Sequence, residues 1–250
     1  MTKDGGFSGS TIPPPEGGVP RFFNRELSWM DFNERVLEEG LRKDRPPLDR
    51  LRFLSIVSSN FDEFFMVRVA AIKRARRAGA GADAAGLSPE GDLKKIAAKA
   101  RAIFSSQYKA LKEEVFPALA AGNFPMVRPE SWTGAQREYL ESFFAREIYP
   151  LLTPLRAREE DPFPAIESLR IHAAFLLEAP AESGPSPESD GDISVIRIPR
   201  ILDRIILLPP AGNGQSFWAL LEDLVLTWGT YLFPGYKIKE SLFFKINRDA

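Results

Sequence analysis

Apolar residues recur at helical spacing through the first half of the chain and at strand spacing through much of the second. In LSWMDFNERVLEEG, Trp29, Phe32, Val36 and Leu37 fall on one helical face. Ser28 with Asp31 three positions on gives a capping pair at its start, and Gly40 a stop. A second helix is expected in DRPPLDRLRFLSIVSSN, with Pro47 at its first position, Leu48, Leu51 and Leu54 on one side, and Phe53, Ile56 and Val57 widening the stripe. The polar triplet Ser58, Ser59 and Asn60 reads as a break. Asn60 is then the N-cap of a further helix and Glu63 closes a capping box. Phe61, Phe64, Phe65, Arg68 and Ile72 carry that helix to Lys73, Arg74, Arg76 and Arg77, cations that complement the dipole of a last turn.

Residues 78–92 form a small-residue linker closing on Ser88-Pro89-Glu90, a capped helix start. A long helix to about Ala120 follows. Its apolar positions Leu93, Ile96, Ile103, Phe104, Tyr108, Leu111 and Val115 suit a bundle partner. After Gly122-Asn123-Phe124-Pro125 the pattern changes: one helix is expected over 136–148, strands over 169–179, 193–199, 204–210 and 236–248, and a helix over 217–228. Residues 180–192, acidic and rich in Pro and Ser, read as a hairpin loop. The expected fold class is α+β, an N-terminal helical bundle followed by an α+β domain with a mainly antiparallel sheet. Residues 1–20 read as a disordered leader, 21–124 as the helical domain and 125–250 as the second domain. The chain stops within or just after a strand at Ala250, so the second domain is expected to be truncated there.

Of the 250 residues 44% are hydrophobic, enough for a substantial core. No segment approaches the roughly 20 uninterrupted apolar residues of a membrane span, and the N-terminus lacks the pattern of a secretory signal. A cytoplasmic location is expected, with membrane association left open. There are no cysteines and one histidine, His172, so thiolate chemistry and sites built on several imidazoles are excluded. His172 sits in the apolar run IHAAFLL, where a structural role in a strand is the preferred reading. Residues 21–130 carry 20 Lys/Arg against 15 Asp/Glu, and residues 131–250 carry 12 against 17. Only the first half leans toward an anion, and weakly.

Asp62 and Glu63 invite an acid/base reading, but neighbours on a helix point about 100° apart and cannot converge on one atom. GAGADAAG follows no strand and lacks the lysine of a phosphate-binding loop, and no aromatic residues interleave with KRARR to stack bases. No specific nucleic-acid partner is expected.

The blocks RELSWMDFNERVL and SSNFDEFFMVRVA closely resemble the N-terminal helical domain of bacterial polyphosphate kinases. IYPLLTP (148–154), DPFPAIESL (161–169) and LFPGYKIKESLFFKINRDA (232–250) resemble the family's head domain, so the likeness spans nearly the whole chain from residue 21. The resemblance implies an enzyme that moves phosphate reversibly between ATP and polyphosphate. ATP/ADP and polyphosphate are then the small-molecule partners, with homo-oligomer contacts through the head domain. By the same likeness Asn60, the third residue of SSN, contacts ATP at one wall of the nucleotide pocket. The family's phosphohistidine and the ligands of its Mg2+ match no part of this chain, so no catalytic and no metal residue is expected here, and the chain alone is expected to be inactive. The other reading is a non-catalytic module that binds a full-length kinase or a polyanion.

Overall fold

A computed structural model describes residues 22–157, 164–178, 190–210 and 214–249. The expected leader over 1–20 and most of the expected loop over 180–192 lie outside the described residues. Backbone contacts divide the chain into two compact units, Met1–Leu111 with Asp249–Ala250, and Lys112–Arg248. The molecule is α+β, with a mainly antiparallel sheet.

The first unit is helical: α1 (Arg25–Leu41), α2 (Pro47–Phe64), a π turn (Phe65–Val69), α3 (Ala70–Arg77) and α4 (Pro89–Ala110). The cap of α1 is Asn24, whose side-chain oxygen accepts from Leu27 N at 2.9 Å, so the helix starts one turn before the expected Ser28. Gly40 lies inside α1 rather than ending it. A Cβ there would come within 2.8 Å of Leu54 Cδ2, and its carbonyl accepts from Arg50 Nε at 2.9 Å, so its small size lets α2 approach. Pro47 opens α2, and Ser88 caps α4 by accepting from Gly91 N at 3.2 Å.

The expected break at Ser58-Ser59-Asn60 does not occur. The triplet lies inside α2, and Asn60 caps nothing. Serine and asparagine cost only about 0.5 kcal/mol each in a helix interior, and here packing outweighs that cost. Phe61 and Phe64 are buried, and Gln107 Nε2 of α4 donates to Ser58 Oγ at 2.7 Å and to the Leu54 carbonyl at 2.6 Å. The irregularity comes later, as the π turn in which one extra residue is wound into an otherwise continuous rod.

The buried faces are also rotated from the expected ones. In α1 the core is met by Met30, Asn33, Leu37 and Gly40, while Phe32 is 51% exposed. In α2 it is met by Arg50, Leu54, Val57, Phe61 and Phe64, with Leu48 outside. In α4 Ile96, Ala100, Ile103, Gln107 and Ala110 turn inward and Tyr108 turns out.

The second unit takes the chain through a π turn (Leu111–Val115) into α5 (Phe116–Ala121), whose Pro117 has no N–H for the preceding turn. There follow α6 (Gly134–Phe143), a π turn (Phe144–Ile148), β1 (Pro154–Ala157), β2 (Ile171–Glu178), β3 (Asp190–Arg197), β4 (Ile205–Leu207), β5 (Trp218–Leu220), α7 (Leu221–Thr227) and β6 (Lys237–Lys245). The sheet order is β1-β3-β2-β6, antiparallel throughout, and β4 pairs with β5 separately. Strand β1 was not anticipated. The expected helix over 217–228 begins instead as β5, where Trp218 pairs with Leu207 and Leu220 with Ile205. Ala173, Phe175 and Leu177 of β2 meet Leu140, Phe144, Leu224 and Trp228 in the core. His172 is buried on β2, where Nδ1–H donates to the Arg170 carbonyl at 3.1 Å and the ring stacks on Phe244.

Candidate functional site

The helical unit holds a cleft of about 470 Å³ between α1 and the α2–π turn–α3 rod. It is lined by Arg25, Trp29 and Phe32 from α1, Asn60, Glu63 and Phe64 from α2, Val67 and Arg68 from the π turn, and Ala71. Rotation of the α1 face explains why aromatic residues are available here: Trp29 and Phe32, expected in the core, stand at the cleft instead. Trp29 stacks on Phe64 with centroids 4.3 Å apart and planes 10° from parallel, giving the cleft a rigid apolar floor.

The orientation of Asn60 is dictated by a chain of amides. Asn33 Nδ2 donates to the Trp29 carbonyl at 3.1 Å. A carbonyl only accepts, so the other end of the Asn33 amide, Oδ1, must face Asn60, and it accepts from Asn60 Nδ2 at 2.7 Å. Asn33 is fully buried, so this polar pair is fixed. Asn60 is left with its carbonyl oxygen unengaged among the described residues, on a side chain that lines the cleft. The cleft is therefore offered a hydrogen-bond acceptor.

Charge gathers at one end. Arg25 donates to Glu26 Oε1 through Nε at 2.9 Å and Nη2 at 2.6 Å, and Arg68 Nη1 lies 3.8 Å from the same oxygen. Two guanidiniums thus share one nearly buried carboxylate. Arg25 is 75% exposed, so its remaining donors face solvent and can meet an anion. Beside this lies a second cavity of about 260 Å³ that shares Arg25 and Arg68 and adds Asp83 and Asp92. Asn24 Nδ2 donates to both of these carboxylates at 2.8 Å. Burial, with Asp83 and Glu26 nearby, raises the Asp92 carboxyl above its ordinary range.

The structure thus brings Asn60 to a cleft but not to a helix end, and its neighbour Glu63 lines the same cleft without capping anything. Lys73, Arg74, Arg76 and Arg77 line neither cavity. Asn33, Trp29, Arg25 and Arg68 were missed as site residues. The available signal was Asn33 itself, a polar residue one position from an expected apolar face. Among the described residues no cluster of three or more His, Asp or Glu could hold a metal ion, and no helix is long and apolar enough to cross a membrane.

Comparison with known proteins places these features in a family. Residues 22–127 match the family model described as polyphosphate kinase N-terminal domain, and residues 135–250 match polyphosphate kinase middle domain. The chain is 41% identical over 229 residues to a polyphosphate kinase of Bacillus cereus and 36% identical over 234 residues to one of Pseudomonas aeruginosa. These alignments cover 91% and 92% of this chain but 32% and 33% of the relatives, so the chain spans about a third of their length. The crystal structure of a polyphosphate kinase from Porphyromonas gingivalis superposes with a TM-score of 0.79 at 28% identity, covering 92% of this chain and 33% of that one. On the two family models and the relatives together, the chain belongs to the polyphosphate kinase family, of which it carries the N-terminal and middle domains.

Proposed function

We propose that this chain supplies one wall of the ATP pocket of a polyphosphate kinase, an enzyme that transfers the ATP γ-phosphate reversibly to polyphosphate, and that Asn60 contacts the nucleotide. The observation that carries this reading is the pinned amide at the cleft, where Asn33 turns the Asn60 nitrogen inward and leaves the oxygen as an acceptor. An acceptor suits the exocyclic amino group of adenine and repels the carbonyl that guanine presents at the same place. Trp29, backed by the buried Phe64, and the exposed Phe32 offer an apolar surface to a base, and Arg25 and Arg68 offer donors to phosphate oxygens.

Phosphoryl transfer rests on positioning and on cations that neutralise developing charge. In this reading the transfer runs through a phosphohistidine contributed from outside these residues, as does the site of Mg2+. His172, buried and bonded through Nδ1, is poorly placed for in-line attack on a phosphate. Dimer contacts are assigned to the head unit, where the register of β1, β3, β2 and β6 sets Leu155, Ile193 and Leu242, all at least 40% exposed, on one face of the sheet.

Calorimetric titration of the chain with ATP tests the pocket. Binding is expected, weakened about tenfold or more by Asn60→Ala if one hydrogen bond to the ligand is lost with its desolvation. Incubation with ATP and magnesium is expected to give no acid-labile phosphoprotein. Robust polymer synthesis by these 250 residues would overturn the assignment of the transfer step.

A further inference from the structure

The head unit carries a second site that the nucleotide pocket does not explain. A cavity of about 350 Å³ opens where β2 begins and β3 ends, within the size range of small-ligand pockets, and is lined by Glu167, Arg170, Arg197 and Arg200. A neighbouring cavity of about 260 Å³ shares Arg170 and Arg200 and adds Arg204. We propose that this paired cavity binds a linear inorganic phosphate chain through the guanidiniums of Arg170, Arg197 and Arg200; the choice of phosphate chain among polyanions rests on the function proposed above.

The charge arrangement is the first reason. Glu167 is shared, pairing with Arg197 through Oε1 and reaching Arg170 Nε from Oε2 at 3.4 Å. Arg200 has no partner among the described residues, so three cations lining one cavity share a single carboxylate. Elsewhere in the unit Arg128, Arg146 and Arg156 each have a carboxylate of their own, in Asp223, Glu147 and Asp192, and Arg204 of the neighbouring cavity is neutralised by Glu222. Surplus guanidinium in a concave site is what a phosphate ligand requires, because the planar fork matches two phosphate oxygens.

The backbone is the second. Leu169, between Glu167 and Arg170, is held at φ 61°, a left-handed conformation that a bulky residue adopts only when its surroundings impose it. Its N–H donates to the Ile246 carbonyl at 2.9 Å, which fixes the turn that sets Glu167 and Arg170 beside Arg197. The ligand class follows from what is missing from the lining. Neither cavity has an aromatic residue on which a base could stack, which disfavours a nucleotide, and arginines shared along two adjoining cavities suit an extended anion better than a single phosphate.

The test is titration of the full chain with inorganic tripolyphosphate, with a longer polyphosphate of defined length and with ATP, for the wild type and for Arg200→Ala, Arg197→Ala/Arg200→Ala and Glu167→Gln. Thermal melts report folding; Arg200 is exposed and unpartnered, so its removal leaves the fold intact. The longer chain is expected to bind more tightly than tripolyphosphate. Arg200→Ala should weaken it about tenfold, as the loss of a charged hydrogen bond does, and the double variant should weaken it further. Glu167→Gln should tighten it by freeing two guanidiniums, and ATP binding at the helical cleft should stay unchanged in all three. Polyphosphate binding that ignores the arginine changes, or that weakens in Glu167→Gln, would overturn the proposal. A wild type that binds ATP but no polyphosphate refutes this site alone. Polyphosphate binding that responds to Arg200 in a chain indifferent to ATP sustains this site and refutes the nucleotide pocket.

Discussion

Asn33 and Asn60 form a two-residue device in which a buried amide sets the polarity of a half-buried one at the cleft. Asn33→Leu removes the acceptor that holds Asn60 Nδ2, so the Asn60 amide is free to rotate. The variant should lose about 1–3 kcal/mol of stability in urea titration through the unpaired groups, and any preference for ATP over GTP should collapse with it. Asp223 offers a second test at this scale. It is almost fully buried at the start of α7, and burial, only partly offset by Arg128 at 3.2 Å, pushes its carboxyl from 3.8 up to about 6. The folded chain therefore keeps a proton that the unfolded chain loses at lower pH. That stability is present below about pH 4 and is lost as pH rises through 6. Asp223→Asn stays neutral throughout, so melts should show it matching the wild type near pH 4 and exceeding it at pH 8 by on the order of 1–3 kcal/mol.

Helix α1 meets α2 through a glycine, and that contact gives a prediction at the scale of elements. Gly40→Ala places a Cβ 2.8 Å from Leu54 Cδ2 and should cost about 1–3 kcal/mol as the pair is forced apart. Gly134→Ala, with open space around it in α6, should cost nothing and gains helix propensity. The helices themselves were legible because Pro47, Ser88 and the apolar periodicity are local signals. Their inward faces were not. The apolar stripe of each helix is wider than its contact, and which part is buried depends on the partner, so Phe32 and Leu48 stand outside while Asn33, Arg50 and Gln107 go in. Strand β5 was hidden for the same reason. Trp218–Leu220 runs directly into α7, and it is drawn into a strand by β4, about a dozen positions upstream, and by the distant Pro125–Val127 segment, whose backbone bonds Trp218. At Ser58-Ser59-Asn60 the local preference for a cap was real, but the phenylalanines that follow gain more by extending the helix into the core.

Across the whole molecule, the two units hold cavities of different character. The helical unit combines an aromatic floor, an oriented amide and a pair of arginines, while the head unit, acidic on the whole, holds one cavity in which three arginines share a single carboxylate. Family membership was legible because RELSWMDFNERVL and SSNFDEFFMVRVA are dense local motifs. The surroundings of Asn60 were not, since Arg25, Trp29 and Asn33 lie about thirty positions away and reach it only after α1 and α2 pack. The central claim is that Asn60 meets the adenine of ATP with its carbonyl oxygen, held there by Asn33. It is tested most directly by following the side-chain amide signals of Asn33 and Asn60 in nitrogen-resolved magnetic resonance spectra as ATP, and separately GTP, is added to the chain. The account predicts that ATP moves both signals and that GTP at the same concentration leaves Asn60 in place. An Asn60 signal that stays fixed at saturating ATP, or that GTP moves equally, would contradict it.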